Sequence, residues 1–247
     1  LAGSLVLMEL PDAAKGKLRI LVPERPGFGQ STPAADYSFE RVTQDLDAFA
    51  AQLKLKSIAL LGDGTGGAYA LHAALNAETP VRALALRAPR LVPPRAKTGG
   101  TFESAMSAMV RQPWLVKSVI DIVRRGAEVP LLRAMADRWI YNSASDKVRM
   151  QGEKSMKAFQ AQMADALEVS SAGVAAEMKL FQRLPRWDVA ALKCPVAMWA
   201  GAENTVVQVK ETAALMAEAH DAKIRIVPDV GIVFPREVWD EIVAWLA

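Results

Sequence analysis

The chain has 247 residues, 51% of them hydrophobic and 23% charged, which suits one large domain or a core domain with an insertion. Its 30 basic and 27 acidic residues leave a formal charge of +3, and the densest basic group is only Arg124 and Arg125, which argues against a nucleic-acid partner. No apolar run reaches the roughly 18 residues of a membrane helix, and one cysteine, Cys194, forbids an internal disulfide.

The first stretch, "LAGSLVLMELPDAAKGK", has acidic residues and no basic start, so it does not read as a signal peptide, and the expected location is cytoplasmic. "LRILV" (18–22) reads as a buried strand, followed by the Pro/Gly/Ser-rich loop "PERPGFGQSTP". Ser38 can cap a helix whose apolar residues Val42, Leu46, Phe49 and Leu53 recur every three or four positions. The strand "SIALL", the turn "GDGTGG" and an alanine-rich helix through Ala77 come next, then the strand "VRALALRAP" (81–89). Residues 101–187 hold no convincing strand: Met106, Met109, Trp114 and Val119 through Trp139 recur at helical spacing, and "GEKSMKAFQAQMADAL" reads as an amphipathic helix. The chain closes with the strand "PVAMWAG" (195–201), a helix over 209–219, the strand "KIRIVP" (223–228) and a helix from Pro235 to Leu246. Strands separated by helices imply a parallel sheet covered on both faces. Cys194, just before an apolar strand, reads as a buried structural thiol.

"GDGTGG" admits two readings. Gly62, Gly64 and Gly67 satisfy the G-x-G-x-x-G spacing of a dinucleotide turn, and Arg87 and Arg90 end the following strand, where an NADP 2′-phosphate would need a cation. A nucleotide turn normally opens its domain, however, and here a strand, a helix and the "PERPGFGQS" loop precede it. The alternative is a nucleophile elbow, a sharp strand-to-helix turn that presents a reactive side chain.

Four segments in order carry a resemblance to the α/β-hydrolase fold family: "LVPERPGFGQSTP", "LLGDGTGGAYALHAA", "LKCPVAMWAGAENTVVQ" and "RIVPDVGIVFPREVWDEIVAWL". They resemble the family's D-x-P-G-x-G-x-S loop, its elbow, its acid-bearing segment and its histidine-bearing segment. The resemblance implies a mainly parallel sheet with helices on both faces. It divides the chain into a core first part (1–95), a helical cap insertion (96–187) and a core second part (188–247). It also implies that the strands before "LRILV", the last of them in mid-sheet, are absent from the chain. A preceding segment of the natural chain, or a partner chain, would supply them, since a sheet without its middle strand leaves open ladders.

Carried over residue by residue, the resemblance puts Gly64 at the nucleophile position, Asn204 at the acid and Ile232 at the histidine. Glycine has no attacking atom, isoleucine cannot accept a proton, and asparagine has no charge to steady an imidazolium. Of the two histidines, His72 falls inside the helix after the turn and His220 near the end of a later one, and both read as structural. Asp63 and Thr65 flank the vacancy, while Glu203 and Asp229 lie near the other two positions. The expectation is therefore a catalytically silent hydrolase fold with a ligand pocket lined by Asp63, Gly64, Thr65, Asn204 and Ile232. Its partner would be a small apolar molecule or a protein, with no cofactor, metal, nucleic acid or membrane. The alternatives are a hydrolase of a small ester or amide using non-standard residues, and an NADP-binding protein.

Overall fold

A computed structural model of the chain describes residues 14, 16, 18–93, 143–149 and 172–247. Its sheet has four parallel strands, β1 (Ile58–Asp63), β2 (Val81–Arg87), β3 (Val196–Gly201) and β4 (Lys223–Val227), laid side by side in chain order. Parallel neighbours need crossovers, and helices supply them. The elements are α1 (Phe39–Gln52), α2 (Gly66–Asn76), α3 (Ala144–Arg149), α4 (Ala172–Leu180), α5 (Val209–Met216) and α6 (Arg236–Leu246).

Side-chain alternation along the strands sorts the core into two layers. Leu84, Leu86, Val196, Met198 and Ala200 turn to a layer shared with Phe39, Tyr69, Leu71, Trp187 and Met216. Ala85, Ala197 and Trp199 turn to the other, where Val238, Trp239, Ile242 and Leu246 of α6 cover them. Those four α6 residues recur at helical spacing, which gives the helix one buried stripe. Cys194 is a free, buried thiol in the first layer, and burial raises its pKa.

Local signals explain the element boundaries. Ser38 has extended backbone and its side chain accepts from the Arg41 amide at 3.1 Å, the N-cap that starts α1. α2 lies close against β1 because both carry glycine at the contact. A Cβ on Gly62 would come within 2.7 Å of Gly67 Cα and 2.8 Å of Ala70 Cβ.

One expectation is corrected. Residues 18–22 form no strand, and none of them is buried. A strand needs a neighbouring ladder for its amides and carbonyls, and among the described residues none lies beside this segment. β1 likewise pairs only with β2 among the described residues. Of the expected helical insertion over 96–187, α3 and α4 are described, whereas Met106 to Trp139 and the expected 152–167 helix lie outside the described residues.

Candidate functional site

β1 ends at Asp63, and the chain reverses into α2 through Gly64, whose φ is +53°. This left-handed value disfavours any residue with a Cβ, and glycine adopts it freely. Three hydrogen bonds fix the corner: Gly64 N–H donates to Arg87 O at 3.0 Å, and Gly64 O accepts from Gly67 N (3.1 Å) and Arg90 N (2.9 Å). Among the described residues, a Cβ on Gly64 would meet nothing within 4 Å.

The loops after β3 and β4 meet each other beside the sheet. Glu203 N donates to Val230 O at 2.9 Å, and a Cβ on Gly201 would come within 2.2 Å of Val230 O and Gly231 O. Asn204 is buried, and its Oδ1 accepts from the amides of Val206 (2.8 Å) and Val207 (3.0 Å). Its Nδ2 is buried with no hydrogen-bond partner among the described residues. Ile232 is half-buried, and its carbonyl accepts from Arg87 Nη1 at 3.1 Å.

Arg87 ties the elbow to this pair of loops. Its Nη2 makes a short ion pair with Asp63, and its guanidinium lies 4.5 Å from the Trp239 ring centroid and 5.2 Å from that of Phe234. Cation–π contact adds to the charge pairing here. Asp63 is thus engaged in an ion pair, and Arg87 is already committed to a carboxylate, a carbonyl and two rings, which leaves it poorly placed for a cofactor phosphate.

α3 and α4, which fall in the stretch expected to form a cap, land on the same loops. Asp146 of α3, 2% exposed, accepts from Ile232 N through Oδ2 and from Val233 N through Oδ1, both at 2.9 Å. Ser143 Oγ accepts from Asp146 N at 3.0 Å, and Ser145 Oγ donates to Glu203 Oε2 at 2.8 Å. From α4, Glu177 receives Arg25 Nη2 at 2.7 Å, and the Thr65 side chain lies close by. Burial pushes the Glu177 pKa up, and the Arg25 charge leads the influences that outweigh it and hold the carboxyl below its ordinary value. Burial likewise pushes Arg25 down, and Glu177 together with Tyr37 and Tyr69 more than reverses that.

Arg25 is sandwiched between Phe28 and Tyr69, 4.8 and 4.7 Å from their ring centroids, and the Tyr69 hydroxyl meets that of Tyr37 at 2.9 Å. Both phenols sit above their ordinary pKa, chiefly through burial. Beside them Gly27 and Gly173 touch backbone to backbone, Gly173 N donating to Gly27 O at 3.3 Å. A Cβ on either would come within 2.7 Å of the other's backbone.

Of the residues that sequence reasoning singled out, Glu203 and Ile232 are each bonded to an α3 side chain, Thr65 lies beside Glu177, and Asn204 caps its own loop. Asp229 is exposed, with a φ of +53°. His72 is remote from the elbow's open side: its Nδ1 meets Thr43 Oγ1 at 2.8 Å, its Nε2 lies 3.5 Å from Glu40, and its ring stacks on Phe39. Burial lowers its pKa. His220 is exposed and pairs with Asp221. Sequence reasoning missed Arg25, Asp146 and Glu177. Arg25 lies in the glycine-rich loop already noted; Asp146 and Glu177 carry no spacing signal. Among the described residues no group of acidic, histidine or cysteine side chains could hold a metal, and no helix is long and apolar enough to cross a membrane.

Residues 2–230 match the family model described as alpha/beta hydrolase fold. Among solved structures, a hydrolase from Pseudomonas aeruginosa PA01 superposes with a TM-score of 0.74 at 20% identity, covering 100% of this chain and 86% of that one. A thermophilic esterase from Thermogutta terrifontis gives 0.71 at 20% identity over 99% and 83% of the two chains. A bromoperoxidase from Bacillus anthracis gives 0.72 at 16% identity over 99% and 86%. At these identities the likeness is one of fold. No curated protein sequence matches the chain.

Proposed function

The chain belongs to the α/β-hydrolase fold family, and from that premise we propose that it is a catalytically silent member that binds a small, mainly apolar molecule between its sheet and its cap. The observation that carries this reading is the elbow itself. Gly64 holds the backbone angle of a presented nucleophile, meets no crowding among the described residues, and offers no atom to attack with. Neither histidine stands in reserve as a base, since His72 is held by Thr43 and Glu40 and His220 lies exposed beside Asp221. Asn204 spends its oxygen on its own loop, so it supplies neither charge nor acceptor to a neighbour. Ile232 adds apolar surface where the family resemblance puts an imidazole. A cytoplasmic location goes with this reading, because the one cysteine is unpaired.

The enzymic alternative draws on the similarity in fold to an esterase and a bromoperoxidase. Its best residue is Thr65, which follows Gly64 and lies near the Glu177 carboxylate. A carboxylate held below its ordinary pKa by Arg25 is, however, a weak base.

The test has two parts. Mass spectrometry of the protein purified under native conditions is expected to reveal a retained apolar small molecule; a retained protein partner instead would move the reading to an interaction scaffold. In parallel, p-nitrophenyl butyrate turnover is expected to be absent from the wild type. It is expected to appear in Gly64→Ser/Asn204→Asp/Ile232→His. Turnover by the wild type that Thr65→Ala, Asp63→Asn or Glu203→Gln abolishes would overturn the silent reading.

A further inference from the structure

α1 holds both ring nitrogens of one buried histidine. His72 of α2 is 9% exposed, and its Nδ1 lies 2.8 Å from Oγ1 of Thr43, itself buried on α1. Its Nε2 lies 3.5 Å from Glu40, one turn earlier on α1, and its ring stacks on Phe39 with centroids 6.0 Å apart. We propose that this contact is a proton-sensitive clasp between α1 and the elbow helix: the neutral ring accepts the Thr43 hydroxyl, and a ring that takes up a proton reverses that bond and loosens α1 from α2.

The partners fix where the neutral ring keeps its one proton. A lone pair on Nε2 would face the Glu40 carboxylate, whereas an N–H there is attracted to it, so the proton sits on Nε2. Nδ1 is then the acceptor and Thr43 the donor. A protonated ring has a donor on both nitrogens. Thr43 must then accept, and its own proton needs a new partner. Within a helix that partner is the carbonyl four residues back, here Phe39 O, in a bond that tends to bend helices. The compensation is small, because the Glu40 side chain is 69% exposed and water weakens its pairing with an imidazolium. Burial also works against the charge and lowers the His72 pKa, with Glu40 opposing it.

Among the described residues no other charged side chain is paired with the ring. Arg41 is paired with Asp36 and Asp45, Asp47 accepts from the amides of Glu78 and Thr79, and α2 carries no further charge. On the strands beneath, Asp63 is paired with Arg87, and Arg82 donates to Leu246 O. Arg183, Arg186 and Asp188, in the segment whose Phe181 and Trp187 pack on Phe39, are exposed. The loosening also has a route inward. Phe39 lies 5.0 Å from Tyr69, ring centroid to centroid, and Tyr69 covers Arg25. A shift of α1 therefore reaches the aromatic layer behind the elbow.

The experiment reads ring and helix in one NMR titration between about pH 7.5 and pH 5. Ring-nitrogen chemical shifts report the His72 tautomer and its protonation. Amide exchange, corrected for its intrinsic pH dependence, reports the protection of α1 around Thr43. At neutral pH the proton is expected on Nε2. As the ring protonates, α1 protection is expected to fall by about two- to tenfold, the effect of one hydrogen bond, and His72→Gln is expected to abolish the fall. Thr43→Val removes the bond that favours the neutral ring, so the ring should protonate at higher pH. Glu40→Gln removes the charge that favours the imidazolium, so the ring should protonate at lower pH. Glu40 is exposed, and that variant carries the test if Thr43→Val does not fold. A proton on Nδ1 at neutral pH would overturn the proposal, as would α1 protection that stays constant while His72 titrates. A titration that neither variant moves, or a ring that stays neutral until the protein unfolds in acid, would overturn it equally.

Discussion

Replacing Gly64 and Gly62 in turn separates two demands that the turn makes on its glycines. At Gly64 the demand is conformational. A side chain at φ +53° costs about 1–2 kcal/mol for an ordinary residue, and the space around it adds nothing, since a Cβ meets no atom within 4 Å. For a chain of this size that corresponds to a fall in Tm of roughly 2–8 °C in Gly64→Ala. Gly64→Asn should lose less than Gly64→Ala, because asparagine tolerates the left-handed region. At Gly62 the demand is steric. Its Cβ would lie 2.7 Å from Gly67 Cα and 2.8 Å from Ala70 Cβ, so α2 must move off β1. That helix is buried from Gly67 to His72, and a shift of it disturbs the whole layer beneath. Overpacking of this kind costs about 1–3 kcal/mol and occasionally more, so Gly62→Ala is expected at or below the Tm of Gly64→Ala. Urea unfolding followed by tryptophan fluorescence gives the two values, and the slope of the transition reports whether the native state has loosened. The reasoning fails if Gly64→Ala leaves stability unchanged, or if Gly64→Asn is the less stable of the two Gly64 variants.

Glu177→Gln is expected to lose about 3–5 kcal/mol by leaving the buried Arg25 charge uncompensated. Because the folded carboxyl titrates below its ordinary value, the wild type keeps this stabilisation above the carboxylate range and loses it as pH falls through the lower folded pKa. Glu177→Gln should therefore show a shallower loss of stability in acid, measured by urea midpoints. His72 behaves in the same sense for a different reason. Burial lowers its folded pKa, so as pH falls below about 6.5 the unfolded chain takes up a proton first and stability declines. His72→Gln is expected to flatten that decline between about pH 7.5 and pH 5.

What the sequence disclosed was whatever local chemistry dictates. The Ser38 cap, the apolar alternation of β2 and β3, the stripe on α6 and the close-packing glycines of the elbow are all readable over a few consecutive residues. "LRILV" misled because apolar β-branched composition says that a segment is able to form a strand, while a ladder depends on a neighbour that composition does not specify. The cap anchors were not legible for a related reason. Arg25 meets Glu177 from 152 positions away and Asp146 meets Ile232 from 86, and neither pairing has a periodic signature. The Asp63–Arg87 ion pair was not legible either, because what holds Arg87 beside that carboxylate is Phe234 and Trp239, far along the chain.

The bare contact between Gly27 and Gly173 has a consequence for how the chain is made. On the ribosome, the glycine-rich bend near residue 27 emerges long before the segment that completes it. Until residue 173 has cleared the exit tunnel, that bend has no surface to lie against and Arg25 has no counter-charge. That corner of the N-terminal half is therefore completed only when the segment around residue 173 docks on it.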